Sequence, residues 1–254
     1  MRRRVLYLLC VFLFFAVLIG IPLAIFLHRP PSCSDGIQNQ DETSPDHGGP
    51  CLLLDDTAIT PHAILWARSF KVRDGVYDSV AYVENPNNGA GVAQVGYRFG
   101  LYDSANVAVA EKKGVMYVMP GGITPVFDSD INTGNRDATH TRFEFTGPLV
   151  WERMQSVANA VKVTDKEMTD QGTMPRLTAS VTNTLIRDIT NISFVAVVFD
   201  PAGNAFASSA TKLTRLNAGE TKQIVFTWPL PFAQPVGRLD VLPLLAPIEA
   251  SHAK

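Results

Sequence analysis

Two halves of this chain carry the same pattern, and this repetition limits the folds open to the chain more than any other feature. The segment GYRFGLYDSANVAVA at 96–110 aligns with SFVAVVFDPAGNAFA at 193–207. Shorter matches in the same order are YVENP and SVTNT, at 82–86 and 180–184, and VMPGG and RLNAG, at 118–122 and 215–219, and the separation from Asp103 to Gly122 equals that from Asp200 to Gly219. A fixed repeat period of this kind predicts two tandem domains of about 100 residues each.

Short runs of β-branched and aromatic residues alternate with polar residues, and Gly, Asn and Pro separate them. The predicted strands are 64–72, 76–85, 92–103, 107–119, 123–127, 141–147, 157–164, 176–183, 189–200, 205–216 and 221–228. This pattern is typical of antiparallel sandwiches. We therefore predict an all-β ectodomain of two tandem immunoglobulin-like antiparallel β-sandwiches, at 61–150 and 151–254. The tail at 241–254 is predicted to be the last strand or a docking segment.

The N-terminal run VLYLLCVFLFFAVLIGIPLAIFL, residues 5–27, contains no charged residue. At about 1.5 Å per residue, a helix of this length crosses a bilayer core of about 30 Å. Secretory signal peptides have shorter apolar regions, and HRPPSC after this run lacks a small-residue cleavage pattern. We predict an uncleaved transmembrane signal anchor within residues 1–29, with a cleaved signal peptide as the alternative.

The charges beside the apolar run predict its orientation. Arg2, Arg3 and Arg4 precede the run, whereas His28 and Arg29 follow it. The positive-inside rule then places the N-terminus in the cytoplasm and the later domains outside the cell membrane.

The net charge is −2. Without the three arginines it is about −5, and an acidic body with no basic cluster argues against nucleic acid as a partner.

Two of the three cysteines, Cys33 and Cys51, bracket a polar segment, and Cys10 lies inside the apolar run. Thiols oxidise outside the cytoplasm, so we predict a disulfide between Cys33 and Cys51. It would close a loop in a spacer at 30–60 and stabilise that loop by about 3 kcal/mol.

The spacer also contains oxygen ligands of the kind that calcium prefers. The candidate ligands are Asp35, Asn39, Asp41, Glu42 and Asp46. Their spacing differs from the EF-hand loop D-x-[DN]-x-[DN]-G. Two interpretations stay open, a calcium site and a turn whose Asp and Asn side chains cap their own backbone. No other cofactor is predicted.

The spacer resembles a short cysteine motif, C-x-D-G-x-x-N-x-x-E-x-x-x-D-C-G-G-x-C, which lies beside signal anchors or between domains in many bacterial surface proteins. The matching residues are Cys33, Asp35, Gly36, Asn39, Glu42, Asp46, Gly48, Gly49 and Cys51. His47 stands where the motif has a cysteine, so a second disulfide is not expected. The resemblance implies an exported bacterial protein and no particular activity.

The first half also carries FGLYD at 99–103, and VVFD at 197–200 is a looser copy. This segment resembles the F-x-L-Y-D signature of a bacterial domain family with an immunoglobulin-like sandwich. Strand alternation places Phe99 and Leu101 on one face, and Asp103 is expected to open a turn. The resemblance implies a fold and an extracytoplasmic location, but no chemistry, because sandwiches host many functions.

The sequence contains no G-x-S-x-G, H-E-x-x-H, P-loop or G-x-G-x-x-G motif. Of the histidines in the predicted ectodomain, His62 lies in a predicted loop with no partner nearby in the sequence, and His252 lies in the C-terminal tail. His140 lies near Asp137, and we interpret this pair as a solvated turn rather than half of a catalytic triad. We therefore predict that the protein is not an enzyme.

Three tryptophans, Trp66, Trp151 and Trp228, fall at comparable places in the repeat. They are predicted to anchor the cores or the domain junction, and the alternative is a stacking platform for carbohydrate.

The predicted function is a membrane-anchored extracytoplasmic interaction module with a protein partner at the cell surface. The alternative is a surface protein that recognises glycan or cell-wall material, with calcium or the tryptophans assisting.

Overall fold

The computed structural model describes residues 2–27, 31–157, 159–246 and 248–249. The chain forms two compact units, Met1–Cys51 and Leu52–Lys254. The structure does not describe His28 and Arg29, which follow the apolar run, or His252 in the tail.

The first unit begins with helix α1 (Arg2–Leu27), which confirms the predicted N-terminal helix. Its window Arg3–Ala24 has a mean hydropathy of 2.8, and no part of that window is buried within the protein. The helix is therefore long and apolar enough to cross a membrane. The described residues that follow in this unit, 31–51, form a loop of tight turns in which an isolated bridge joins Ser44 and His47.

The second unit is built from β-strands, after a short 3-10 helix at Asp56–Ala58. The strands are β1 (Ala63–Arg73), β2 (Val76–Asn85), β3 (Ala90–Tyr102), β4 (Ala108–Val118), β5 (Gly122–Asn132), β6 (His140–Phe145), β7 (Trp151–Gln155), β8 (Val161–Thr169), β9 (Arg176–Asn183), β10 (Ile189–Phe199), β11 (Ala205–Leu216), β12 (Thr221–Thr227), β13 (Arg238–Leu244) and β14 (Ile248–Glu249).

The first half of this unit consists of two antiparallel sheets. One has the strand order β1-β2-β5, and the other has the order β14-β7-β3-β4, with β6 also paired to β3. Apolar side chains from both sheets meet between them, and Val83, Val92, Phe99 and Leu101 are almost completely buried there. Burial of this apolar surface stabilises the half by about 25 cal/mol per Å².

The second half has the same kind of construction, with sheets β12-β9-β8 and β11-β10-β13. Leu177, Val181, Phe194, Val198 and Phe226 fill the space between these sheets. The prediction of an all-β region made of antiparallel sheets after one N-terminal helix is therefore confirmed.

A third apolar cluster joins the two halves, and we call it the junction layer. Its buried members are Phe70, Val80, Tyr82, Val195, Val197, Phe199 and Ala205. Strand alternation explains this double packing, because β2 directs Ala81 and Val83 into its own core and Val80 and Tyr82 to the other face. Sheet β1-β2-β5 thus packs against sheet β11-β10-β13.

Both ends of the second unit add to the sheet of the first half. Leu53 forms a bridge with Glu152, and the carbonyl of Leu52 accepts a hydrogen bond from the Arg153 N–H at 2.7 Å. The C-terminal strand β14 pairs with β7 on that same sheet. The tail therefore supplies the last strand of the second half, β13, and then a short strand to the first half.

Candidate functional site

The polar loop of the first unit is closed by the predicted disulfide between Cys33 and Cys51. The side chain of Glu42 is buried inside this loop. One of its carboxylate oxygens accepts N–H groups from Asn39 at 3.2 Å and Asp46 at 3.1 Å. Its other oxygen lies 3.0 Å from the Cys51 sulfur. Glu42 therefore holds the loop backbone against the disulfide.

Two aspartates of the loop also bind its backbone. Asp46 accepts the N–H groups of Asp35 and Gly36, both at 3.0 Å. Asp35 accepts the N–H groups of Ile37 at 2.9 Å and Ser32 at 3.1 Å. The Ile37 N–H is the main cause that lowers the pKa of Asp35. These carboxylates therefore cap the turns of the loop, as the second interpretation of the sequence expected.

The structure does not bring the five candidate calcium ligands into one carboxylate cluster. Within the part of the chain that the structure describes, one group of three acidic, cysteine or histidine ligand atoms lies within 4.8 Å, formed by Cys33, Glu42 and Cys51. Both sulfurs belong to the disulfide, so this group is not a metal site in the oxidised protein. Asp41 lies outside the group, and Asn39 Oδ1 is buried without a hydrogen-bond partner among the described residues. Calcium binding stays a prediction.

The histidines considered as catalytic candidates have other surroundings. His62 lies edge-on to Phe145, with ring centroids 5.4 Å apart, and burial lowers its pKa. The carboxylate of Asp137 pairs with Lys71 at 3.1 Å, and this hydrogen bond is the main cause that lowers the pKa of Asp137. His140 instead contacts the hydroxyl of its neighbour at 139. The structure shows no hydrogen bond between His140 and Asp137 in the described chain.

Two of the three tryptophans are buried, and the third, Trp66, is half-buried against the junction layer. Trp66 lies on Tyr82 at the junction layer, with ring centroids 4.3 Å apart. Trp151 and Trp228 are buried, and the Trp228 indole N–H donates to the carbonyl of Ser208 at 2.8 Å. The indoles therefore act as core and junction anchors, as the sequence analysis expected, and they do not form an exposed stacking platform.

A cavity of about 290 Å³ opens at one end of the junction layer, and we call it the junction pocket. Residues from both halves line it: Phe70, Lys71, Val72 and Asp78 from the first, and Phe206–Ser208 and Thr227–Gln234 from the second. The aromatic rings form a connected wall, since Phe232 lies 5.2 Å from both Phe206 and Trp228 between ring centroids.

Asp78 places a carboxyl group in this apolar pocket. Burial is the main cause that raises its pKa to about 6, and the nearby charge of Asp130 raises it further. The Asp130 N–H, which donates to Asp78 at 3.2 Å, acts in the opposite direction. The nearest basic group in the lining, Lys71, has its ammonium 3.1 Å from both Asp74 and Asp137. Lys71 is therefore engaged with other carboxylates.

Ser208 is the second polar group of interest in the pocket. It is opposite Val197 in the strand register, and Val197 belongs to the junction layer. Ser208 is only 3% exposed, and its hydroxyl has no hydrogen-bond partner among the described residues. A buried hydroxyl in this state costs free energy, about 1–3 kcal/mol, unless something else binds it.

The pocket was not predicted from the sequence, although part of the signal is present there. The segments SVAYV at 79–83 and FVAVVF at 194–199 are almost continuously apolar. Such runs are typical of strands covered on both faces, so they could have indicated the junction layer. Asp78, Ser208 and Trp228 are far apart in the chain, so no local pattern indicates that they meet.

The fold defines an all-β protein of stacked antiparallel sheets that follow an apolar helix. No family model matches the chain, and no curated protein matches it. Solved structures show distant likeness at 10% identity to a red sea bream transglutaminase, with a TM-score of 0.24 over 74% of this chain and 31% of that one.

Two glycoside hydrolases show a similar degree of likeness. A β-glucuronidase of Bacteroides uniformis is 10% identical, with a TM-score of 0.20 over 69% of this chain and 22% of that one. A β-glucuronidase from glycoside hydrolase family 2 is 11% identical, with a TM-score of 0.21 over 85% of this chain and 29% of that one. The chain spans less than a third of each of these proteins, and likeness at this level carries no argument about activity.

Proposed function

We propose that this chain is a membrane-anchored extracytoplasmic interaction module, in which two tandem immunoglobulin-like sandwiches present a protein-binding sheet face. The observation that carries the proposal is the junction layer. This layer already uses one sheet face of the second half as a protein interface. Among the described residues, no sheet packs on the equivalent face of the first half, which is the outer face of the sheet that contains β3. Sandwich folds host many unrelated functions, so the proposal rests on this surface and not on the fold alone.

The equivalence of the halves is supported by their strand orders. In each half the first, second and fifth strands form one sheet, and the third strand pairs with the fourth and the sixth in the other. Asn85 and Asn183 are both fully buried at matching positions. Gly122 and Gly219, also at matching positions, both have positive φ. Shared turn geometry at aligned residues supports a tandem repeat.

The proposed binding face is the outer face of β3, β4 and β6. The alignment puts Arg98 of β3 at the position of Val195 in β10, so the face is polar where its counterpart is apolar. Arg98 pairs with Glu111 and Glu144, and the Arg142 guanidinium lies 5.0 Å from the centre of the Tyr102 ring. A charged and aromatic face of this composition suits a polar protein partner.

A sheet face is favoured over a sheet edge as the contact. Strand β4 pairs with β3 alone in the described part of the second unit, so one side of it is open. Its centre is Glu111-Lys112-Lys113, and such charges protect an edge strand from pairing with another chain. Strand β14 covers the β7 side of the same sheet.

The location in the proposal rests on helix α1 and the flanking arginines. A cleaved signal sequence would have a similar apolar helix, but the length of residues 5–27 favours an anchor that is retained. Arg2, Arg3 and Arg4 favour a cytoplasmic N-terminus in the cell membrane. The ectodomain would then be extracytoplasmic, where the Cys33–Cys51 disulfide is stable.

Membership of the bacterial F-x-L-Y-D domain family is part of the proposal. Phe99 and Leu101 are fully buried on one face of β3. Asp103 accepts the N–H groups of Ala105 at 3.0 Å and Val107 at 2.9 Å, which lower its pKa together with the Arg136 ion pair. The signature residues thus have the packing and turn roles that such a motif requires.

The proposal is tested on the full chain, purified in mild detergent from membranes of its native cell with a tag after Lys254. We expect a stoichiometric protein partner in quantitative mass spectrometry. A variant with Arg98→Glu and Arg142→Glu should lose that partner by about tenfold or more, because two central charges are reversed.

The matched control carries Lys162→Glu and Arg176→Glu, which make the same charge change at exposed positions of sheet β12-β9-β8. It should retain the partner. Equal recovery of the partner with both variants, or its equal loss, would show that the β3-β4-β6 face is not the binding surface.

A further inference from the structure

The junction pocket has the form of a small-ligand site. It is concave, it is lined from two sandwiches, and its volume of about 290 Å³ is near the lower end of the range of roughly 300–1,000 Å³ for ligand pockets. Its walls include Phe70 and Trp228, both largely buried. Pockets of this class combine apolar walls with a few polar groups that orient the ligand.

Two polar groups in the pocket have unused hydrogen-bonding capacity. The hydroxyl of Ser208, in a residue that is 3% exposed, has no partner among the described residues. The carboxyl of Asp78 receives the backbone N–H of Asp130 and no ion pair among the described groups. A half-buried carboxylate and a fully buried hydroxyl are costly when unpaired, so a ligand that binds both would recover that free energy.

The charges around Asp78 determine which ligand suits the site. Asp130 on β5 adds negative charge, and Lys71 on β1 is engaged with two other aspartates. The lining segments 206–208 and 227–234 of the second half contain no charged residue. The local charge is therefore negative, which favours a cation and disfavours an anion. The faces of Trp228 and Phe232 would attract a cation further.

We propose that the junction pocket binds a small organic cation, consisting of a primary ammonium group on an apolar body. The ammonium donates to the Asp78 carboxylate and the Ser208 hydroxyl, and the apolar body packs on Trp228 and Phe232. Because both halves contribute to the pocket, the bound ligand also stabilises their packing. This site is separate from the proposed partner face on β3, β4 and β6.

The experiment uses the full chain in detergent at about pH 7.5, where Asp78 is mostly ionised. The probes are 2-phenylethylamine, hexylamine and cyclohexylmethylamine, and the comparison compounds are 2-phenylethanol and 3-phenylpropionate. Calorimetry or ligand-observed NMR should show that at least one amine binds with a Kd of about 1 mM or tighter. That amine should bind about tenfold tighter than the alcohol, and the carboxylate should not bind.

Three variants assign the binding to the pocket. Asp78→Asn should weaken the amine about tenfold, and Ser208→Ala should weaken it about threefold. Asp74→Asn is the control, because it removes an exposed aspartate that does not line the pocket. The proposal is wrong if no amine binds at about 10 mM. It is equally wrong if Asp78→Asn binds as the parent does, or if 3-phenylpropionate binds as well as the amines.

Discussion

Asp78 places an ionisable side chain on a strand face that is otherwise apolar. It stands opposite Phe70 in the β1–β2 register, on the strand face that contributes Val80 and Tyr82 to the junction layer. An apolar residue there would continue the layer. The carboxyl instead carries a pKa of about 6, mainly because burial disfavours its charged form.

This raised pKa predicts a pH-dependent effect of Asp78→Asn on stability. The folded protein favours the neutral carboxyl. Its stabilising contribution to the free energy of unfolding is therefore complete below pH about 3.8 and is lost as the pH rises through about 6. Asn keeps the shape without the charge. At about pH 7.5 the variant should be more stable by about 1 kcal/mol, a value reduced for partial solvent screening, which raises the Tm by about 2–4 °C.

Thermal unfolding of both proteins at about pH 7.5 and about pH 3.5 measures this effect, and the difference should vanish at the lower pH. Asp130 and Lys71 are the charged neighbours, and both are unchanged in the comparison. Asp74→Asn should shift the Tm little at either pH, because Asp74 is fully exposed. The same Tm difference at both pH values would contradict the role assigned to Asp78.

At the level of elements, a buried asparagine connects the end of one strand to distant turns in each half. The Asn183 amide donates to the carbonyls of Arg187, Leu216 and Asn217, and its oxygen accepts the Leu185 N–H. Backbone carbonyls in the interior need donors, and the sheets cannot supply them at strand ends. The asparagine therefore fixes how β9, β10 and β11 are connected.

We predict that Asn183→Ala and Asn85→Ala each lower the free energy of unfolding by about 3 kcal/mol. Asn85 makes the corresponding bonds to the carbonyls of Ala90 at 2.7 Å and Met119 at 2.8 Å, so the two costs should be similar. Urea unfolding followed by tryptophan fluorescence gives the values. The exposed Asn204 is the control, and Asn204→Ala should cost at most about 0.5 kcal/mol. A loss below about 1 kcal/mol at either buried site would refute the structural role.

Several strands could be predicted from the sequence because their alternation is local. β2, β9 and β11 have the predicted bounds. Strand β7 (Trp151–Gln155) was missed, and the strand predicted at 157–164 begins at Val161 instead. The segment WERMQ lacks clear alternation, and its strand partners, near Leu53 and in β14, are remote in the sequence. Pairings of this kind depend on tertiary contacts, which a local pattern cannot indicate.

At the scale of the whole molecule, two sheet faces that the sequence alignment pairs have different chemistry, because among the described residues another sheet covers one of them and not the other. The face of β10 presents Val195, Val197 and Phe199 to the junction layer, whereas the aligned face of β3 presents Arg98, Gly100 and Tyr102. The junction layer joins unlike faces of the two halves, and a head-to-tail interface of this kind can be repeated by a further copy. The charges on the face of β3 oppose such repetition with an apolar sheet.

This contrast predicts opposite outcomes for two exchanges at matching positions. Val195→Arg places a charge in the junction layer, where Val195 is 2% exposed, and should cost about 3–5 kcal/mol or separate the halves. Arg98→Val removes an exposed ion-pair network and should leave the unfolding free energy within about 1 kcal/mol of the parent.

Urea unfolding and small-angle scattering of the full chain in detergent distinguish the two variants. If Val195→Arg extends the molecule while the environments of Trp151 and Trp228 persist, the two halves fold independently and the junction layer alone holds them together. If it unfolds the protein in one step, the halves share one cooperative core. Unchanged stability and dimensions would mean that the layer does not join the halves, and the proposed function would then lose the observation that carries it.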